Sequence, residues 1–102
     1  MAKMTGAQAI ARMLEDYGVT HIFHVPAILR RTMVELEAST SIKRVRTHGE
    51  KSAAYMADGY ARASRRPGIC MAQTVGALNL AAGLRDAWLA HSPVIALTGG
   101  RD

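Results

Sequence analysis

The chain has 102 residues and a formal net charge of +5, with 49% apolar and 21% charged residues. This length allows one small domain, and this composition excludes a disordered chain. Aromatic residues make up only 5%, so we expect a core of Ala, Val, Ile, Leu and Met. The basic residues are spread along the chain and form no helical stripe, which predicts no nucleic-acid partner.

The single cysteine, Cys70, excludes an internal disulfide and is typical of a reducing compartment. It lies in an apolar run, which predicts a buried thiol. The N-terminal residues have no apolar core of signal-peptide length, and no run approaches the roughly 18 consecutive apolar residues of a membrane span. We therefore expect a cytoplasmic protein with no membrane contact.

The first half of the chain predicts helices and strands in alternation. Thr5 and Gln8 have capping-box spacing, which predicts a helix start, and apolar residues then recur at helical spacing to residue 17. Residues 21–25 predict a strand that ends at Pro26. A second helix with apolar residues at 29, 33 and 36 follows, and then a weaker strand over 42–47.

The second half continues the alternation with a third helix from about Glu50 to Ala63 and a buried strand over 69–72. Strands that alternate with helices at this spacing predict an α/β fold, with a parallel sheet and helices on both faces. A final apolar strand covers 94–97. A fourth helix from Gly76 to about Leu89 is expected to turn five residues inward: Ala77, Leu80, Ala81, Leu84 and Trp88.

The final strand is the most apolar one, and the sequence contains no helix after it. Parallel strands are normally covered on both faces. We therefore expect residues 1–102 to be the first part of a larger domain, or to be completed by a partner. Gly59 and Gly83 lie inside predicted helices, which favours tight packing between helices or subunits there.

Glu50 is the most informative candidate for chemistry. It opens a helix directly after a strand, where open α/β sheets bind ligands. The helix dipole favours the charged carboxylate, whereas burial beneath a ligand favours the neutral acid, so such a group can exchange a proton. Taken alone, the residue is better explained as a solvated first-turn residue, and only its context favours the functional interpretation.

Two further groups of residues were considered as sites. Backbone N–H groups at the start of a helix near Gly76 can meet an anion or a polar ring, but the segment lacks the three-glycine dinucleotide fingerprint. His21 and His24 lie three apart on a strand and point to opposite faces, so they form a poor metal pair. His48 and Glu50 can share a direction, but two ligands predict no metal site.

Four segments in this order give a specific resemblance: T-G-A-Q-A-I at Thr5, G-V-T-H-I-F at Gly18, E-K-S-A-A-Y-M-A-D-G-Y-A-R at Glu50 and S-P-V-I-A-L-T-G at Ser92. The chain resembles the N-terminal pyrimidine-binding domain of thiamine-diphosphate enzymes, most closely the acetolactate synthase-like group. The resemblance implies a flavodoxin-like domain and covers almost the whole chain. It also implies that the 102 residues are a partial domain that is inactive alone.

In that family the glutamate that matches Glu50 hydrogen-bonds the N1′ atom of the aminopyrimidine and so promotes loss of the thiazolium C2 proton. The resemblance implies thiamine diphosphate as cofactor, with Mg²⁺ held mainly by a second domain that this chain lacks, while use of FAD stays open. It implies cofactor contacts from Gly76, Asn79 and Pro26, and a substrate pocket that includes Ala27, His24 and His48.

Three departures from the family pattern bear on these roles. His24 and Ala27 stand where the family commonly has glycine, Gly49 separates His48 from Glu50, and T-V-G-A-L-N is shorter than the usual loop and lacks its proline. The implied activity is decarboxylation or carboligation of 2-oxo acids or related carbonyls, in a homodimer or homotetramer with the site between subunits. The alternatives are a non-catalytic interaction module or a small flavodoxin-like nucleotide binder.

Overall fold

The computed structural model describes residues 3–26 and 29–100, in which four parallel strands form one sheet. The strand order is β2-β1-β3-β4, the order of flavodoxin-like sheets, and helices cover both faces. The predicted α/β fold class is therefore confirmed. In chain order the elements are α1 (Gly6–Asp16), β1 (His21–His24), α2 (Arg30–Ser39), β2 (Lys43–Arg46), α3 (Glu50–Ser64), β3 (Gly68–Gln73), α4 (Thr74–Asn79), α5 (Ala81–Leu89) and β4 (Val94–Gly99).

Alternation along the strands divides the core into two layers. On β1, Ile22 packs in a cluster with residues of α1 and α2, whereas the next residue, Phe23, packs in a cluster with alanines of α3. On β3, Met71 joins the first cluster, and Cys70 joins the second. Because successive strand residues point to opposite faces, one buried strand serves both layers.

The start of α1 follows its sequence signal. The Thr5 backbone N–H donates to Gln8 Oε1 at 2.9 Å, and the Gln8 backbone N–H donates to Thr5 Oγ1 at 3.2 Å. Two N–H groups at the helix start are thereby satisfied, and the predicted capping box is confirmed.

Small residues set how closely α3 packs. Ala54 and Ala57 are fully buried, and a methyl group added at Gly83 would lie 2.9 Å from the backbone nitrogen of Tyr55. A methyl group at Gly68 would lie 3.1 Å from the Cα of Ala57. Tight helix packing is therefore confirmed at Gly83. At Gly59 an added methyl group would meet nothing within 4 Å in the described structure.

The predicted fourth helix differs from the observed one in start, continuity and facing. The structure has two helices, α4 and α5, which are separated at Leu80. The buried side of α5 follows Leu80, Gly83 and Ala87, so Trp88 is rotated off this line by about 100° and is 74% exposed. The prediction that Trp88 and Ala81 turn inward was wrong because the side of α5 that follows Leu80, Gly83 and Ala87 faces the core instead.

A charged group joins α3 to α5. Arg62 donates to the two carboxylate oxygens of Asp58 at 3.0 and 2.9 Å, and Arg62 Nη2 lies 3.8 Å from Asp86 Oδ2. The Arg62 guanidinium lowers the pKa of the buried Asp58 carboxyl. Within residues 3–26 and 29–100, no helix has the length and apolar character needed to cross a membrane.

The packing of α5 on α3 gives a stability prediction. Gly83→Ala is expected to lower the free energy of unfolding by about 1–3 kcal/mol, because the added methyl group overlaps the backbone of α3. The matched control is Gly59→Ala, which adds the same group in open space and is expected to raise stability by up to about 1 kcal/mol. Urea unfolding of the 102-residue chain measures both, and equal effects would contradict the packing argument.

Candidate functional site

The candidate site lies at the carboxyl edge of the sheet. The chain leaves β1 towards β2 on one side, and β3 pairs with the other side of β1. In open parallel sheets, this reversal of strand order leaves a crevice outside the strand ends where ligands bind. Helix α3 begins with Glu50 four residues after β2, and α4 begins directly after β3.

The half-buried Glu50 side chain reaches from the start of α3 to α4. Asn79 Nδ2 donates to Glu50 Oε2 at 3.4 Å. A methyl group built on Gly76 would lie 2.6 Å from Glu50 Oε1 and 3.0 Å from Glu50 Cγ and Cδ. The carboxylate therefore occupies the space that a side chain at residue 76 would fill.

Thr47 is a structural residue of this edge that the sequence reasoning missed. The buried Thr47 backbone N–H donates to the His24 carbonyl at 2.8 Å. Its hydroxyl lies 3.2 Å from the same carbonyl oxygen and 2.9 Å from that of Gly49, and it can donate to one of them at a time. Thr47 thus ties the end of β1 to the residue that precedes Glu50. The signal in the sequence that could have indicated Thr47 is a hydroxyl residue between the end of a strand and Gly49, the glycine that caps α3.

The turn from β3 into α4 has an uncommon backbone. Thr74 has φ 34°, in the left-handed region that β-branched residues rarely adopt. Such a conformation costs about 1–3 kcal/mol and persists only where the surrounding structure enforces it. It lets α4 begin at the first residue after the strand, which brings Gly76 next to Glu50.

In the described residues, the contact of Glu50 with α4 does not include the other predicted site residues. His24, the last residue of β1, is 7% exposed and shares a strand face with Ile22, on the α1–α2 side. Its Nδ1 atom is buried and has no hydrogen-bond partner in the described structure. Pro26 is half-buried after β1, and His48 is exposed before α3. Ala27 lies outside the described residues.

The remaining reactive groups form no second centre in the described part of the chain. There, no three or more His, Cys, Asp or Glu residues are grouped as a metal ion would need. Burial raises the pKa of the Cys70 thiol to about 11, so this group stays protonated at neutral pH. The arrangement places one half-buried carboxylate, that of Glu50, at the strand-end crevice, and a carboxylate is a group that can take part in acid–base chemistry.

Comparison with known proteins gives a consistent result. Residues 4–102 match the family described as thiamine pyrophosphate enzyme, N-terminal TPP binding domain. The chain is 40% identical over 97 residues to the probable acetolactate synthase large subunit of Methanocaldococcus jannaschii, covering 94% of this chain and 16% of that protein. It is 40% identical over 96 residues to the chloroplastic acetolactate synthase of Arabidopsis thaliana, covering 92% of this chain and 14% of that protein. A probable 2-ketoarginine decarboxylase of Pseudomonas aeruginosa is 33% identical over 96 residues, covering 93% of this chain and 17% of that protein.

The buried His24 gives a pH prediction. Burial, reinforced by Arg44 and Arg46, lowers the pKa of this imidazole in the folded chain, whereas the unfolded chain takes up the proton near pH 6.5. The unfolded state then binds more protons, so this contribution to stability is complete above about pH 6.5 and is lost as the pH falls below it.

The test compares urea unfolding of the wild type and His24→Leu between about pH 5 and 7.5. The wild type is expected to lose more stability than the variant as the pH falls. The other histidines are common to both proteins, so the difference isolates His24. A difference that stays constant over this pH range would contradict the assignment.

Proposed function

Since the chain belongs to the family of N-terminal TPP binding domains of thiamine pyrophosphate enzymes, we propose that it supplies the carboxylate that activates the cofactor's aminopyrimidine ring. Glu50 fills this role, and the complete enzyme decarboxylates or joins 2-oxo acids or related carbonyl compounds. The single observation that carries the proposal is the half-buried Glu50 carboxylate at the strand-end crevice, where it contacts Gly76 and Asn79.

The residues present fit one half of thiamine diphosphate. A carboxylate at a helix start can share a proton with a ring nitrogen, and the neighbouring Asn79 amide keeps the acid at the crevice. When bound, the cofactor supplies an electron sink for carbanion chemistry. The described residues contain no acidic cluster for a divalent cation. We therefore propose that a second domain holds the diphosphate and its Mg²⁺. Use of FAD stays open.

The chain spans about one sixth of the length of the relatives compared, which supports a role as part of a longer enzyme. A groove of about 800 Å³ beside α1 and β4 supports the same proposal. It is lined by apolar residues that include Met13, Ile95 and Leu97, and Ile95 is 46% exposed. Exposed apolar surface of this kind is normally covered by further protein.

We assign the cover of the crevice to a second subunit, in a homodimer or homotetramer. Val75 and Leu78 are 73% and 78% exposed and lie on α4 beside Gly76 and Asn79. Large apolar side chains at the rim of a polar site are typical of surfaces that a partner covers. The same side chains would serve the alternative of a non-catalytic interaction module, which differs in needing no cofactor.

The decisive experiment follows the C2 proton of thiamine diphosphate bound to the complete enzyme. Glu50→Gln keeps the shape of the side chain but removes the acid, so hydrogen–deuterium exchange at C2 is expected to slow by about 10²–10⁴-fold. NMR of acid-quenched samples measures the exchange. Glu37→Gln, a change of the same type on α2, is the matched control and is expected to leave the rate unchanged.

Two outcomes would overturn the proposal. The first is an exchange rate in the Glu50→Gln enzyme equal to that of the wild type. The second is a natural assembly that contains this chain and binds a partner but has no measurable affinity for thiamine diphosphate, which would establish the interaction module instead.

A further inference from the structure

Asn79 and Gly76, the residues beside Glu50, can serve a second purpose in addition to contact with a cofactor. The family resemblance implies that Asn79 and Gly76 contact the cofactor, yet Asn79 donates to the Glu50 carboxylate, and this carboxylate occupies the space beside Gly76. We propose that Asn79 and Gly76 are positioning residues, which hold the Glu50 carboxylate in one orientation before any ligand arrives. This inference rests on the proposed function of Glu50, but it is tested separately from it.

The space at Gly76 is the first argument. A methyl group there would meet three consecutive atoms of the glutamate, at 2.6 Å from Oε1 and 3.0 Å from Cδ and Cγ. The end of the Glu50 side chain thus fills the space beside Gly76. A glycine at this position therefore serves the approach of the acid, and even alanine would push the carboxylate away.

The hydrogen bond from Asn79 is the second argument. The amide donates to Oε2 at 3.4 Å, whereas Oε1 lies in the space that the missing side chain of Gly76 leaves open, so one residue bonds the carboxylate and the other makes room for it. Asn79 and Gly76 are three residues apart on α4 and therefore share one side of this helix. A glutamate has several rotatable bonds, and fixing them in advance lowers the entropy lost when it meets its target.

The turn at Thr74 is the third argument. Its positive φ of 34° starts α4 immediately after β3, which places both Gly76 and Asn79 within reach of α3. A backbone conformation that is unfavourable by itself is maintained at this junction. The geometry of the junction therefore serves the contact between α4 and Glu50.

The first test needs no cofactor. In the complete enzyme without its cofactor, three-bond NMR couplings are expected to show one dominant rotamer for Glu50. Asn79→Leu removes the donor at similar size, and Gly76→Ala fills the contact, so both are expected to give averaged couplings. Asn79→Gln, which keeps the amide, is expected to restore at least part of the single rotamer. Gly59→Ala is the control for an added methyl group, because it meets nothing within 4 Å.

Averaged couplings in the wild type, or unchanged couplings in Asn79→Leu, would overturn the positioning role. If Gly76→Ala fails to fold, the two Asn79 variants still decide the question. A fixed Glu50 together with normal C2 exchange in Glu50→Gln would refute the proposed function and leave the positioning role standing, so the two failures are distinguishable.

The second test separates positioning from cofactor contact in the complete enzyme. If Asn79 acts through Glu50, Asn79→Leu slows C2 exchange by roughly tenfold or more while the affinity for thiamine diphosphate changes little. An equal loss of affinity and exchange rate would assign Asn79 to the cofactor and contradict the inference.

Discussion

The close packing of α3 is the constraint on which the rest of the structure depends. Its backbone lies against β3 at Gly68 and against α5 at Gly83, and in both places there is no room for a methyl group. The buried alanines Ala54 and Ala57 complete this surface. A helix packed through such small side chains has few alternative positions, because any slide along its axis brings a Cβ atom against backbone. The first residue of this helix is Glu50, so the packing that fixes α3 also fixes the backbone position of Glu50.

Two polar contacts extend that constraint along α3. Near its middle, the Asp58–Arg62 pair meets Asp86 of α5 and resists rotation of one helix against the other. At its start, Thr47 links the end of β1 to the Gly49 carbonyl. The Glu50 backbone is thus held by the sheet, and its side chain is held by α4. A carboxylate supported in this way loses little conformational freedom when it meets a ligand, which is the physical content of preorganisation.

The fold was predictable because helical and strand periodicities were local and agreed with one another. The capping box at Thr5 and the position of Glu50 at a helix start were visible for the same reason. The start of the fourth helix at Thr74 was not visible, since it depends on the positive φ of that residue, and the buried side of α5 was not visible, since it depends on the fit of Gly83 to α3. The exposure of Trp88 followed from that fit. Within the site, residue types indicated Glu50, Gly76 and Asn79, but their mutual contact depends on strands that are distant in sequence.

The described chain leaves the candidate carboxylate half exposed, and this exposure limits what it can do alone. In contact with water, a charge is screened and a proton has many competing acceptors. Exclusion of water strengthens each electrostatic interaction in a site and protects reactive groups from side reactions. The apolar side chains of Val75 and Leu78, exposed on α4 next in sequence to Gly76 and Asn79, can exclude water only when another surface covers them. The proposed second subunit would therefore have a physical role at Glu50, because covering this surface would remove the solvent that weakens electrostatic interactions there.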